Sequence, residues 1–144
     1  MSSKLALAVM VFAMCLGCWS IVSAEHHGMY FGRVRVYVNN LIAPNIWMDI
    51  HCKSKDDDLQ LQTLAYSQNQ TWSFKVNFWG TTLFWCGMGW NDDTGRYVQG
   101  SFKIYEYLRD YSKCDGICVW NAKKDGLYFL NPDSRNPPEL MFTW

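Results

Sequence analysis

The residues best equipped for chemistry sit together in "HCKSKDDDLQ", residues 51–60, where an imidazole adjoins a thiol and a basic stretch runs into Asp56, Asp57 and Asp58. Such residue types serve a cysteine–histidine nucleophile, a metal site, or a disulfide beside a solvated turn. A nucleophile pair requires the imidazole to reach the thiol. The flanking pattern argues against that. In "NIWMDIHCKS", Ile46, Met48, Ile50 and Cys52 alternate with Trp47, Asp49 and His51, so on a strand Cys52 points inward and His51 outward. The remaining histidines, His26 and His27, lie far upstream. Zinc fails on spacing: the intervals of 34, 28 and 4 separating Cys52, Cys86, Cys114 and Cys118 contain no paired short knuckles. Calcium fails too, because Asp56–Asp58 lack the alternating spacing that wraps one ion; the run reads as a turn whose carboxylates bond nearby backbone N–H groups. Glu25-His26-His27, if it opened a mature chain, would offer nitrogens in the square-planar array that Cu(II) or Ni(II) accepts. That feature is short and depends on the cut site. No catalytic residue, metal or cofactor is expected.

The compartment decides what the thiols do. Residues 1–24 carry one early positive charge at Lys4, an apolar run from Leu5 to about Trp19, and small residues ending in Ser23-Ala24. This is the plan of a secretory signal peptide, and the run is short for a membrane span, which needs roughly 20 apolar residues. Cleavage after Ala24 would remove Cys15 and Cys18 and leave a domain of residues 25–144 with four cysteines. An even number in a short secreted chain reads as a disulfide framework. The pairing favoured here is Cys52–Cys118 with Cys86–Cys114, clamping two sheets. The mature charge, 12 basic against 13 acidic residues, offers no basic face for nucleic acid and no attraction to an anionic membrane.

The elements that must position these residues have period two almost throughout. "RVRVYVNN" sets Val34, Val36 and Val38 on one face; "TWSFKVNFW" places Trp72, Phe74, Val76 and Phe78 inward. "TTLFWCGMGW" is nearly continuous in apolar residues, as in a central strand, and "GSFKIYEY" sets Phe102 and Ile104 against Lys103 and Tyr105. "ICVWNAKKDGLYFL" reads as a hairpin turning at Asp125-Gly126. No stretch is a convincing amphipathic helix; "YEYLRDYSK" is the nearest. One-sided strands need a second sheet to cover them, which predicts an all-β sandwich of about eight strands with two disulfides.

"HCKSKDDDL", "TTLFWCGMGW", "CDGICVW" and "KDGLYF", in that order and spacing, resemble the plant self-incompatibility S1 family, the S-protein homologues. The resemblance runs from about Val34 to Phe129. It implies a small secreted β-sandwich with two disulfides and variable loops. In the family's founding case it further implies a stigma-secreted ligand recognised by a pollen-surface partner.

The expectation is therefore a secreted, extracellular, monomeric recognition protein whose partner is a cell-surface receptor. Its exposed contact residues would be His51, Asp56, Asp57, Asp58, Asn91, Asp92, Asp93, Arg96 and Tyr97. Asn69, in the sequon Asn69-Gln70-Thr71, is a glycosylation acceptor. Two rivals are a defence protein binding carbohydrate or membrane through its aromatics, and a small secreted hydrolase. The run "FWGTTLFWCGMGW" is the aromatic candidate, weighed here as core.

Overall fold

A computed structural model describes residues 32–131 and 135–144. The expected signal peptide, residues 1–24, and Glu25-His26-His27 lie outside the described residues. The elements follow as β1 (Arg33–Asn40), β2 (Met48–Lys53), β3 (Asp58–Leu64), β4 (Asn69–Lys75), β5 (Leu83–Asn91), β6 (Tyr97–Glu106), α1 (Tyr107–Cys114), β7 (Ile117–Lys123), β8 (Gly126–Leu130) and β9 (Glu139–Phe142). They form two sheets, ordered β4-β1-β7-β8-β9 and β3-β2-β5-β6. All pairs are antiparallel except β1 with β7, whose crossover passes through the whole second sheet and α1.

The period-two reading holds where one face is buried. Val34, Val36 and Val38 on β1, and Met48, Ile50 and Cys52 on β2, are all in the core. Aromatic rings close the gap separating the sheets. Phe74 of β4 lies 4.6 Å from Phe84 and 4.8 Å from Tyr105 of the opposite sheet. At the other side Phe102 meets Phe142 at 5.4 Å, and Phe142 stacks on Trp120 at 5.8 Å. Buried Asn40 adds a polar tie. Its Nδ2 donates to the carbonyls of Ile46 and Leu64, each at 2.9 Å, joining the end of β1 to the opposite sheet. Asn40 continues the inward phase of Val34, Val36 and Val38, and a polar group so placed must be bonded.

The disulfides do not do that work. Cys52 pairs with Cys86 and Cys114 with Cys118, in place of the expected Cys52–Cys118 and Cys86–Cys114. Cys52 and Cys86 are register partners on neighbouring strands of one sheet, with Cα atoms 4.0 Å apart. Two inward-facing residues directly opposite each other bring their Cβ atoms within bonding range. Cys114–Cys118 joins the end of α1 to β7 across the turn at Asp115-Gly116.

Three further departures have local causes. The segment Tyr107–Cys114 is an α-helix. Asp110, 1% exposed, accepts from the backbone N–H of Glu106 at 2.8 Å and forms a two-pronged pair with Arg109 at 2.7 Å on each prong. Arg109 also donates to the Lys103 carbonyl and lies 5.5 Å from the Trp120 ring centroid. This charged cluster fixes the helix together with its inward side, where Tyr107 and Tyr111 pack on the core and Cys114 is bonded to Cys118. Tyr105 is buried, not outward. The ladder skips Ile104, pairing Phe84 with Tyr105 and Trp85 with Lys103, and that bulge turns Ile104 and Tyr105 both inward. Phe78 is exposed, because β4 ends at Lys75 and its alternation stops there. The described residues contain nine strands; β3 and β9 are edge strands with weak apolar patterns.

Candidate functional site

The outer face of the β3-β2-β5-β6 sheet is open. Outward positions run across it in two register rows: Leu61–His51–Gly87–Ser101 and Thr63–Asp49–Gly89–Gln99. Both rows have glycine at the centre, so a trough of about 450 Å³ forms along β5. The two glycines differ in kind. Tyr97 lies over Gly89, where a Cβ would meet the Tyr97 hydroxyl and force that ring to shift, so the tyrosine as it lies accounts for the glycine. A Cβ at Gly87 would meet nothing within 4 Å, and its φ lies outside the left-handed region. Neither packing nor backbone conformation calls for a glycine there.

Polar groups form the rim. His51 Nε2 and Asp58 Oδ1 are 2.6 Å apart, and Lys53 Nζ stands 3.5 Å from the other Asp58 oxygen. The His51 contact first, and the Gln60 N–H second, hold the Asp58 carboxyl below its ordinary pKa of 3.8. Gln60 occupies the left-handed region at φ 63°, beside the register shift that β3 makes against His51–Lys53. Asp49 accepts from the Thr63 hydroxyl at 2.6 Å.

The expected contact residues do not form one surface. The β2–β3 turn and the β5–β6 turn lie at opposite ends of the sheet, since Lys53 pairs with Trp85 and Met48 with Trp90. His51 and Tyr97 meet the trough between them. The three aspartates have three fates. Asp56 is exposed; Asp57 closes the turn, its N–H donating to Ser54 Oγ at 2.9 Å; Asp58 joins His51. In the other turn Asp92 is an organiser. Its Oδ1 accepts from the Thr94 hydroxyl at 2.6 Å and from the Thr94 and Arg96 N–H groups at 2.9 Å, and its Oδ2 from Arg96 Nε at 3.2 Å. The Thr94 hydroxyl is the first cause of its lowered pKa. Asp93 reaches Lys124 at 3.0 Å, and Asn91 ends β5 exposed. Asn69 begins β4 with an exposed side chain. Of the aromatic run, Phe84 and Trp90 are core, Trp85 is half-buried, and Phe78 and Trp79 are exposed.

Sequence reasoning missed Asp49, Gly87, Gly89, Gln99 and Ser101. The available signal was the Gly-x-Gly inside an otherwise apolar strand, which interrupts it on one face only.

The His51–Cys52 question is answered by position: the imidazole faces the trough with Asp58, while the sulfur is bonded to Cys86 in the core. Among the described residues no three His, Cys, Asp or Glu side chains converge.

The sequence model of the plant self-incompatibility protein S1 family matches residues 35–144. The chain belongs to this S1 family. It is 30% identical to S-protein homolog 6 of Arabidopsis thaliana, with 94% of this chain and 97% of that protein covered. It is 42% identical to Arabidopsis S-protein homolog 24, over 60% of this chain and 54% of that longer relative. Self-incompatibility protein S1 of Papaver rhoeas is 33% identical over 69% of each chain. A solved self-incompatibility protein homologue, described as one of a widespread family of small, highly stable, secreted plant proteins, superposes with a TM-score of 0.59 at 18% identity, covering 81% of this chain and 97% of that one. The fold is thus that of the S1 family, and the Gly87 trough lies on the outer side of its four-stranded sheet.

Proposed function

We propose that this S1-family protein is a secreted, non-enzymatic recognition ligand of plant cells. It acts as a monomer, and its contact surface is the outer face of the β3-β2-β5-β6 sheet, centred on Gly87. One observation carries the choice of surface: Gly87 is bare where its neighbours would admit a side chain. Glycine inside a strand costs roughly 0.5–1 kcal/mol relative to alanine, and close approach by another molecule is a standing reason to keep one. The scaffold suits the task. The disulfide behind the trough joins β2 to β5, the two strands that carry His51 and Gly87, so little ordering entropy is lost on binding. The Asp49 and Asp58 carboxylates at or beside the rim favour a basic group on a cell-surface receptor protein. The Papaver relative's name supports a reproductive setting, and the extracellular location follows from the family.

Filling the trough tests the proposal. Gly87→Leu should preserve the far-ultraviolet spectrum and both disulfides, because the new side chain enters open space. Binding of labelled protein to pollen or root cell surfaces should fall on the order of tenfold or more, as for an obstructed contact centre. Undiminished binding by the correctly folded variant would place the contact elsewhere.

A further inference from the structure

The loop joining β4 to β5 carries the most exposed pair of rings among the described residues. Phe78 is 75% and Trp79 82% exposed, and the rings touch edge to face at 5.4 Å. The loop holding them is braced. Asn77 accepts the Thr81 N–H at 2.8 Å and donates from its own N–H to Thr82 Oγ1 at 2.9 Å; its Nδ2 donates to Thr81 Oγ1 at 2.8 Å, and Gly80 N–H donates to its carbonyl at 3.2 Å. Gly80, at φ +64°, packs on the Tyr107 ring so closely that a Cβ would sit 2.6 Å from it. The Tyr107 N–H donates to the Thr82 carbonyl at 3.1 Å, which anchors the loop to α1. Leu108, next along the helix, is 88% exposed.

We propose that Phe78 and Trp79, with Leu108 of the helix that anchors their loop, form a wedge that inserts shallowly and reversibly into the interface of a phospholipid bilayer. Three observations favour lipid over a protein pocket. The three side chains offer roughly 500 Å² of apolar surface, short of the roughly 800 Å² that each partner gives to a stable protein interface. The loop's N–H groups at Asn77, Gly80 and Thr81 are bonded internally, so entering an apolar medium leaves those donors satisfied. The exposed aromatic pair also suits the headgroup level, where tryptophan concentrates. Charge at this end of the sandwich is mixed: Arg33 and Lys75 at the ends of β1 and β4, Lys53 and Lys55 against Asp56, Asp57 and Asp58. The wedge therefore works by apolar contact and takes a neutral phosphatidylcholine surface. Among the described residues no helix is long and apolar enough to cross a membrane; the wedge lies on the surface. It is independent of the Gly87 trough.

The test uses the full secreted, disulfide-bonded protein and sucrose-loaded vesicles of phosphatidylcholine alone, read by sedimentation. Wild type should sediment with the vesicles, and raising the salt from about 0.05 to 0.5 M should change partitioning less than about twofold, since no counterions are displaced. Phe78→Ser with Trp79→Ser should lower partitioning at least about tenfold with an unchanged melting temperature. Trp79→Phe should still sediment but lose most of the emission quenching that brominated phosphatidylcholine produces in wild type. The wedge would be overturned by wild type remaining in the supernatant, by equal sedimentation of the double variant, or by binding that requires anionic lipid. Loss of a soluble protein partner by the double variant without vesicle binding would overturn it in favour of a protein pocket.

Discussion

Strand β5 has two faces built by opposite rules. Inward, Phe84, Cys86, Met88 and Trp90 are all buried, one of them bonded to the neighbouring strand. Outward, Trp85, Gly87, Gly89 and Asn91 alternate with them, and the two middle positions have no side chain at all. The inner face is dictated by volume, since every position there contacts the opposite sheet or its own neighbours. Tyr97 covers Gly89, but nothing covers Gly87. A single strand thus separates what the fold needs from what the fold leaves free.

The largest test of that separation is the inner sulfur bond. Cys52→Ala with Cys86→Ala removes a link closing a 34-residue separation. The chain-entropy account assigns about 4 kcal/mol to such a link. The corresponding loss for Cys114→Ala with Cys118→Ala, separated by 4 residues, is about 2 kcal/mol. Urea midpoints of the two double variants should fall in that order. A reversed order would show that strain or packing at the α1–β7 turn outweighs loop closure.

Next is a substitution one position from the trough. Met88 is 4% exposed and faces the core, so Met88→Ala should cost about 3 kcal/mol, the usual range for emptying a buried site. Gly87→Ala should instead stabilise, by roughly 0.5–1 kcal/mol, because the methyl meets open space while the unfolded chain loses freedom. Neighbouring residues on one strand would then move the denaturation midpoint in opposite directions. Destabilisation by Gly87→Ala would mean that packing does require the glycine, and the contrast between the faces would fail.

Legibility in the sequence followed the same division. Val34, Val36, Val38, Met48, Ile50 and Cys52 declared their face through strict alternation, and the sandwich follows from such patterns. Alternation is silent about register, however. That is why Cys52 could be placed inward while its partner was misassigned: facing inward is a property of each strand, and standing opposite is a property of the pair. Tyr105 turned inward at a bulge that no single-strand pattern contains. The helix Tyr107–Cys114 lies in the stretch nearest to a helical pattern, yet it was unconvincing there because part of what holds it is buried charge. Asp110 and Arg109 look like surface residues until Lys103, Glu106 and Trp120 are brought around them. The trough was the hardest to see. It is made by absent side chains, and its walls come from four strands whose order only the ladder supplies.

The smallest expected effect lies on the rim, in the His51–Asp58 contact. The Asp58 carboxyl is held below its ordinary value of 3.8 in the folded protein, by His51 first and then by the Gln60 N–H. A carboxyl with a depressed folded pKa adds stability above its unfolded pKa, and that contribution disappears as pH falls through the folded value. The wild-type melting temperature should therefore lose a small increment below about pH 4, in the range where Asp58 takes up its proton. Asp58→Asn removes the titrating group and should flatten that part of the acid limb while leaving the profile from pH 5 to 8 nearly parallel to wild type. His51→Gln should remove part of the same increment, because the Gln60 N–H still reaches Asp58 at 2.9 Å. Identical acid limbs in all three proteins would mean that the rim contact is too solvated to couple to folding, and that the outer face, charge included, is energetically separate from the core behind it.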